Sequence, residues 1–81
     1  MRIIMYGTKN CPDVREALAV IAKKQLDVEF RNFDDSVKNL KEFISLRDRS
    51  PEFDEIKRNG TIGIPCFIGA DGTISFDTER L

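Results

Sequence analysis

The apolar residues in the first half of the chain change period twice, and each change marks the boundary of a predicted element. Residues 3–6 form a short apolar run that stops at Gly7, which predicts a buried strand. From Pro12 onward the apolar residues recur at helical spacing, on a face made of Val14, Ala17, Leu18, Ile21 and Ala22. Residues 26–33 then alternate between apolar and charged, as in a half-buried strand. A strand, a helix and a second strand predict a parallel βαβ unit.

The third quarter of the chain predicts two further helices. Ser36 is a suitable N-cap for the first helix. Its apolar side is predicted to consist of Val37, Leu40, Phe43, Ile44 and Leu46. Ser50-Pro51 predicts the start of a second, short helix, because proline fits the first helical position, and Asn59-Gly60 predicts its end.

The last quarter of the chain predicts a pair of strands. Residues 62–68 are apolar but interrupted by Pro65, which indicates an edge strand or a bend. Asp71-Gly72 indicates a tight hairpin turn, followed by a return strand over residues 73–76. Asp77 is a suitable cap for a final helical turn. The complete order is βαβαββ, which predicts an α/β fold with a four-stranded mixed sheet and a truncated terminal helix.

Composition limits the classes of function. The chain has 81 residues, and we expect residues 1–81 to form one domain and to act as a monomer. A net charge of −1 gives no indication of a nucleic-acid partner, and no apolar run is long enough for a membrane span. Two cysteines and no signal-like N-terminus favour a reducing compartment, the cytoplasm. With no histidine and only two cysteines, we expect no metal site and no bound cofactor.

Cys11 is the candidate for chemistry because it stands where the first strand gives way to the first helix. Backbone N–H groups at a helix start lack partners, and the helix dipole adds positive charge there. Both effects favour the thiolate, which is the nucleophilic form. Pro12 fits the first helical position, and Lys9 adds a nearby positive charge. The alternative is that Cys11 is a small apolar residue that happens to begin a helix.

Several motifs together resemble those of the thioredoxin superfamily, and within it the glutaredoxins. Tyr6 followed by Cys11-Pro12 resembles the glutaredoxin active-site entry, and Ile64-Pro65 resembles the cis-proline segment of that family. Cys11-Pro12-Asp13-Val14, Arg47-Asp48 and the segment 63–66 resemble a small bacterial branch of glutaredoxin-related proteins. The resemblance extends over essentially the whole chain and implies a thioredoxin-like fold.

The resemblance also implies an activity, a co-substrate and a set of site residues. It implies a thiol–disulfide oxidoreductase of cell redox homeostasis, with Cys11 as nucleophile and glutathione or protein thiols and disulfides as partners. The implied substrate- or glutathione-binding residues are Lys9, Pro12, Ile64, Pro65 and Asp77. A cis Pro65 would bring the Ile64 backbone beside the Cys11 sulfur, where a peptide-like substrate can pair with it. From the residues alone, a trans proline at the end of an edge strand is an equal alternative.

Two departures from the family pattern change this expectation. Val14 replaces the second cysteine of the usual dithiol motif, so only monothiol chemistry remains: Cys11 becomes glutathionylated and a second glutathione releases it. The glycine pair that precedes the acidic glutathione-binding turn in many glutaredoxins is absent before Asp77. These departures leave a catalytically decayed binding or regulatory module as the main alternative. An iron–sulfur carrier and an arsenate-reductase-like protein are further alternatives.

Cys66 is a possible second thiol because it directly follows Pro65. It can serve as a resolving thiol that replaces the cysteine missing at position 14. The favoured alternative is a packed strand residue that points to the other side of the sheet, because strand side chains alternate. A disulfide with Cys11 requires Cα atoms within about 7 Å and correctly directed Cβ atoms.

Overall fold

A computed structural model describes residues 2–81, with Arg80 described by its backbone alone, so Met1 of the predicted 1–81 domain lies outside the described residues. Four strands and three α-helices follow one another with short connections. Their bounds are β1 Ile3–Gly7, α1 Pro12–Lys24, β2 Val28–Asn32, α2 Val37–Arg49, α3 Asp54–Arg58, β3 Cys66–Ile68 and β4 Ile74–Ser75. Short 3-10 turns at Pro51–Phe53 and Thr78–Arg80 precede α3 and follow β4. The predicted α/β class is confirmed.

The strands form one mixed sheet in the order β2-β1-β3-β4. β1 and β2 are parallel, with Met5 opposite Phe30, and α1 is the crossover between them. β3 runs antiparallel to β1, with Tyr6 opposite Cys66, and β4 runs antiparallel to β3. The C-terminal ends of β1 and β2 therefore meet at one edge, and the chain returns to that edge just before β3. The predicted four-stranded mixed sheet is confirmed.

The starts of the helical segments have the local causes that the sequence predicted. Pro12 is the first residue of α1, and Gln25 ends that helix in the left-handed conformation at φ 54°. The Ser36 hydroxyl accepts a hydrogen bond from the Lys38 N–H and caps α2. The Asp77 carboxylate likewise accepts from the Glu79 N–H at the last turn, which is 3-10 rather than α-helical.

Alternation along the strands places two apolar clusters on opposite faces of the sheet. On one face, Met5 and Phe67 pack against α1 through Val14, Ala17 and Ile21. On the other face, Tyr6 and Cys66 pack against Phe43 of α2 and Phe53 of the 3-10 turn. The sheet is therefore the middle of three layers. Within the described residues, none of the helices is both long enough and apolar enough to cross a membrane.

The predicted apolar side of α2 is only partly correct. Phe43 is buried and Leu46 is partly buried, whereas Val37, Leu40 and Ile44 remain 65%, 37% and 45% exposed. The spacing identified a helix correctly but overestimated its buried face. The reason is that α2 packs against the cluster on this face of the sheet through Phe43 and Leu46 alone. The strand predicted over residues 62–68 is also shorter than expected, since β3 begins only after Pro65.

Candidate functional site

Cys11 lies at the junction of β1 and α1, in the N-cap position, and is half-buried. Its backbone N–H donates to the Thr8 carbonyl at 3.1 Å, which closes a tight turn after β1. Its own carbonyl accepts from the N–H groups of Val14 and Arg15, both at 3.1 Å, and so begins the helix. The thiol makes no capping hydrogen bond, so within the described part of the chain it is available at the start of α1.

Two sets of hydrogen bonds hold the turn that precedes Cys11. The Asp34 carboxylate accepts from the Thr8 hydroxyl at 2.8 Å and from the Asn10 amide at 3.5 Å, which ties the turn to the loop after β2. The Arg15 guanidinium donates to the Lys9 carbonyl at 2.7 Å and ties it to α1. The sequence did not predict the role of Asp34, because a hydrogen bond across 26 residues leaves no local pattern.

The thiol lies in an open groove, which we call the Cys11 groove, with a volume of about 420 Å³. One wall consists of Thr8, Asn10, Cys11 and Asp13, and the other consists of residues 61–64. The predicted site residues Cys11 and Ile64 therefore face the same space. The Ile64–Pro65 peptide bond is cis, as the family resemblance implies.

Ile64 offers an unpaired stretch of backbone to this groove. It lies just before β3, outside any strand. Across residues 2–81, its N–H and its carbonyl make no hydrogen bond. Buried backbone polar groups are nearly always paired in folded proteins, and exposed ones are available to a partner. Ile64 can therefore pair with an extended chain lying in the Cys11 groove.

A second hollow lies on the other side of Ile64 and Pro65, and we call it the Asp77 cleft. It has a volume of about 320 Å³ and includes Asp77 and Thr78 on one side and Asp13 and Glu16 of α1 on the other. Asp13 and Ile64 line both hollows, so the two are adjacent. Asp77 thus lies near the predicted substrate segment, although its carboxylate is already used to cap the last turn.

The charges around the two hollows are negative. Three carboxylates, those of Asp13, Glu16 and Asp77, line the Asp77 cleft, and Asp13 also lines the Cys11 groove. Among the described residues that line either hollow there is no lysine or arginine. Lys9 is exposed and contributes its carbonyl, rather than its ammonium group, to the contacts around Cys11. The structure therefore does not bring Lys9 into the walls of the site, whereas Pro12 is at the helix start as predicted.

Cys66, the possible second thiol, is not in the Cys11 groove. It is fully buried in the cluster with Tyr6, Phe43 and Phe53, on the face of the sheet opposite α1, whereas Cys11 packs at the margin of the α1 cluster. Both cysteines are free thiols. Burial raises the pKa of the Cys66 thiol from 9.0 to about 12. Of the two alternatives given by the sequence, the structure agrees with the packed strand residue, and the resolving role is not supported.

Tyr6, which belongs to the motif that resembles the glutaredoxin entry, also faces away from the groove. Its ring is buried on the α2 face, and its hydroxyl accepts from Arg31 at 3.1 Å and donates to Glu42 at 3.3 Å. Burial is the main cause of the raised pKa of this hydroxyl. Tyr6 is therefore a structural residue that ties β1 to β2 and α2.

Comparison with known proteins gives a relative but not a function. No model of a known protein family matches the chain, and no solved structure matches it. Among the described residues, no group of three or more acidic or cysteine side chains is arranged to hold a metal ion. The chain is 36% identical over 78 residues to an uncharacterized protein of Haemophilus influenzae, and the match covers 96% of this chain and 91% of that protein. The chain therefore belongs to the same protein family as this Haemophilus influenzae protein.

Proposed function

We propose that the chain is a glutaredoxin-like thiol–disulfide oxidoreductase that works through the single thiol of Cys11. The observation that carries the proposal is the half-buried Cys11 thiol at the start of α1, which shares a groove with the unpaired backbone of Ile64. The thioredoxin-like assignment of the fold is part of the same proposal. It is supported by a βαβ unit followed by an antiparallel hairpin, the arrangement that the sequence resemblance implies.

The proposed reaction has two exchange steps at Cys11. In the first, the Cys11 thiolate attacks the glutathione sulfur of a peptide–glutathione mixed disulfide, so that Cys11 becomes glutathionylated and the peptide leaves as a thiolate, which takes a proton from water. In the second, the thiolate of a free glutathione attacks the disulfide on Cys11, so that glutathione disulfide forms and Cys11 leaves as a thiolate. No second protein thiol takes part, because Val14 occupies position 14 and Cys66 is buried on the other face.

The helix start and the groove have separate roles in this mechanism. The first turn of α1 has unpaired N–H groups and the positive end of the helix dipole, and both stabilise negative charge on a sulfur at the N-cap. The groove orients the disulfide, because a peptide that pairs with the Ile64 backbone holds the glutathione sulfur of its mixed disulfide within reach of Cys11. A reducing compartment such as the cytoplasm belongs to the proposal, since Cys11 must be a free thiol. A monomeric state is also part of the proposal, since both walls of the groove come from one chain.

The negative charges favour a protein or peptide disulfide over glutathione disulfide as the first substrate. Glutathione has two carboxylates and one ammonium group and is a net anion, and the described residues that line the Cys11 groove and the Asp77 cleft provide three carboxylates and no cation. Like charges within about 10 Å repel at physiological salt. We therefore propose a peptidyl mixed disulfide as the substrate and glutathione as the thiol that completes the cycle.

The test is the intact mass of the protein after exposure to a glutathionylated peptide or to glutathione disulfide. We expect one added thiol compound on the wild-type protein, none on Cys11→Ser, and a wild-type result for Cys66→Ala, the matched cysteine control. Catalytic turnover with excess glutathione should be lost in Cys11→Ser and kept in Cys66→Ala. An unmodified wild-type protein would contradict the proposal and would leave the binding module as the better hypothesis. Loss of two hydrogens without an adduct would show instead that the two cysteines pair.

A further inference from the structure

One side chain outside the groove holds the groove's second wall. Arg47, in the last turn of α2, donates from Nη2 to the Thr61 carbonyl at 2.7 Å and from Nε to the Ile62 carbonyl at 3.0 Å. Both carbonyls belong to residues that line the Cys11 groove. Hydrogen bonds from a charged donor are stronger than neutral ones, and the fork of a guanidinium can hold two acceptors in a fixed orientation.

The segment that Arg47 holds packs against the core through Gly63 and Ile64 but has few other backbone hydrogen bonds. Residues 61–65 belong to no helix or strand. At the near end, the Thr61 N–H bonds to the Ile56 carbonyl, and at the far end β3 begins at Cys66. Between these points, across the described chain, the backbone of residues 62–64 makes one hydrogen bond, from Arg47 Nε to the Ile62 carbonyl. The peptide planes of Thr61 and Ile62 are thus oriented by a helix that does not itself line the groove.

We propose that Arg47 is a positioning residue that fixes the far wall of the Cys11 groove and so aligns the Ile64 backbone with a bound substrate. By fixing the two preceding carbonyls, it limits the directions that the free Ile64 N–H and carbonyl can take. The kinetic part of this inference rests on the proposed function, whereas the structural part does not. Lysine can supply one point charge but not the fork, so it is expected to replace arginine only in part.

The experiment compares Arg47→Gln and Arg47→Lys with Arg49→Gln. Arg49 is the matched control, because it is also an arginine of the last α2 turn but lines a different hollow, beside Tyr6 and Lys41. With a glutathionylated peptide as substrate, we expect Arg47→Gln to raise KM about tenfold and to change kcat by less than about twofold, because the binding-competent wall is populated for a smaller fraction of the time. Arg47→Lys should lie between wild type and Arg47→Gln, and Arg49→Gln should match wild type.

Alkylation of Cys11 by iodoacetamide separates positioning from general damage. Iodoacetamide is small and does not need the Ile64 backbone, so its rate should be the same in wild type and Arg47→Gln. If KM is unchanged in Arg47→Gln, the inference is wrong. If KM, kcat and the alkylation rate all deteriorate together, Arg47 is merely structural, and the inference is again wrong.

Amide order parameters test the inference even if the wild-type protein catalyses no exchange. Rigid backbone gives order parameters near 0.85 and flexible backbone gives values below about 0.6. We expect the amides of Ile62, Gly63 and Ile64 to become flexible in Arg47→Gln and to stay rigid in Arg49→Gln. Unchanged values in Arg47→Gln would overturn the inference. An inactive wild-type protein with this change in mobility would refute the proposed function alone.

Discussion

Replacement of Gly63 by alanine tests how tightly the far wall of the Cys11 groove is packed against the core. Gly63 has φ +94°, which side chains with a Cβ rarely adopt. A Cβ placed there would lie 3.0 Å from Phe53 Cε2 and 3.2 Å from Ile56 Cγ2. Phe53 has little freedom to move, because it is fully buried and its ring contacts those of Phe43 and Phe76 at centroid distances of 5.8 and 5.0 Å.

Gly60 provides a matched control in the same loop. It also has a positive φ, +72°, but among the described residues no atom lies within 4 Å of a Cβ built there. Gly60→Ala should therefore lower the free energy of unfolding only by the cost of holding an alanine at a positive φ, about 1–2 kcal/mol. Gly63→Ala should lower the free energy of unfolding by the same conformational cost and by about 1–3 kcal/mol more, because the added Cβ overpacks against Phe53. The expected total for Gly63→Ala is about 2–5 kcal/mol, a large share of the roughly 4–12 kcal/mol typical of a domain of this length.

The measurement is urea unfolding of both variants, followed by far-UV circular dichroism. A double-mutant cycle isolates the steric part: in a Phe53→Leu background the smaller side chain leaves room, so the added cost of Gly63→Ala should shrink by about 1 kcal/mol or more. Equal losses for Gly60→Ala and Gly63→Ala, within about 0.5 kcal/mol, would refute the reasoning. So would a cost of Gly63→Ala that does not depend on the residue at position 53.

Two further predictions concern charge. Burial raises the pKa of Cys66 from 9.0 to about 12, so between these values the buried thiol keeps its proton while the thiol of the unfolded chain loses it. Ionisation of Cys66 therefore leaves the free energy of unfolding unchanged below pH 9 and lowers it as the pH rises toward 12. At about 1.36 kcal/mol per unit of pKa shift, the free energy of unfolding falls by at most about 4 kcal/mol by about pH 12. Unfolding free energies measured from pH 8 to 11 should therefore fall more steeply for wild type than for Cys66→Ala, and parallel curves would show that Cys66 is not responsible. Asp13 lines both hollows, so Asp13→Asn should speed the reaction of Cys11 with anionic glutathione disulfide about two- to threefold and slow its reaction with cationic cystamine. Stopped-flow rates with the two disulfides check this, with Asp35→Asn as an exposed control, and equal rate changes for both disulfides would exclude an electrostatic cause.

Much of the fold could be predicted from local patterns, because each element begins and ends for a local reason. Pro12 begins α1, Ser36 caps α2, and the turn at Asp71-Gly72 joins β3 to β4. The buried position of Phe43 on the apolar side of α2 was also predicted correctly. The exposed side of α2 could not be predicted, because helical spacing identifies an apolar stripe but does not say which part of it a neighbouring element covers.

The candidate site was predictable only where its residues are close in sequence or belong to a known motif. Cys11 and the segment at Ile64-Pro65 came from such patterns, and the structure brings them into one groove. The supporting roles of Asp34 and Arg47 were missed, because these residues act through side-chain hydrogen bonds over separations of 24–26 and 14–15 positions. For Cys66 the alternation of side chains along a strand gave the interpretation that agrees with the structure, a packed residue on the face away from α1.

The packing at position 14 bears on why one thiol suffices in the proposed chemistry. Val14 is one turn after Cys11 on α1, yet it is fully buried, and a Cβ built at Gly7 would lie 2.8 Å from its Cγ2. The side chain at position 14 therefore fixes the contact between α1 and the end of β1, while the side chain at position 11 faces the groove. With no partner thiol in the groove, the disulfide formed on Cys11 can be released only by a thiol that enters from solution. The groove must then admit two sulfur compounds in turn, which agrees with its open shape and with a substrate held chiefly through the Ile64 backbone.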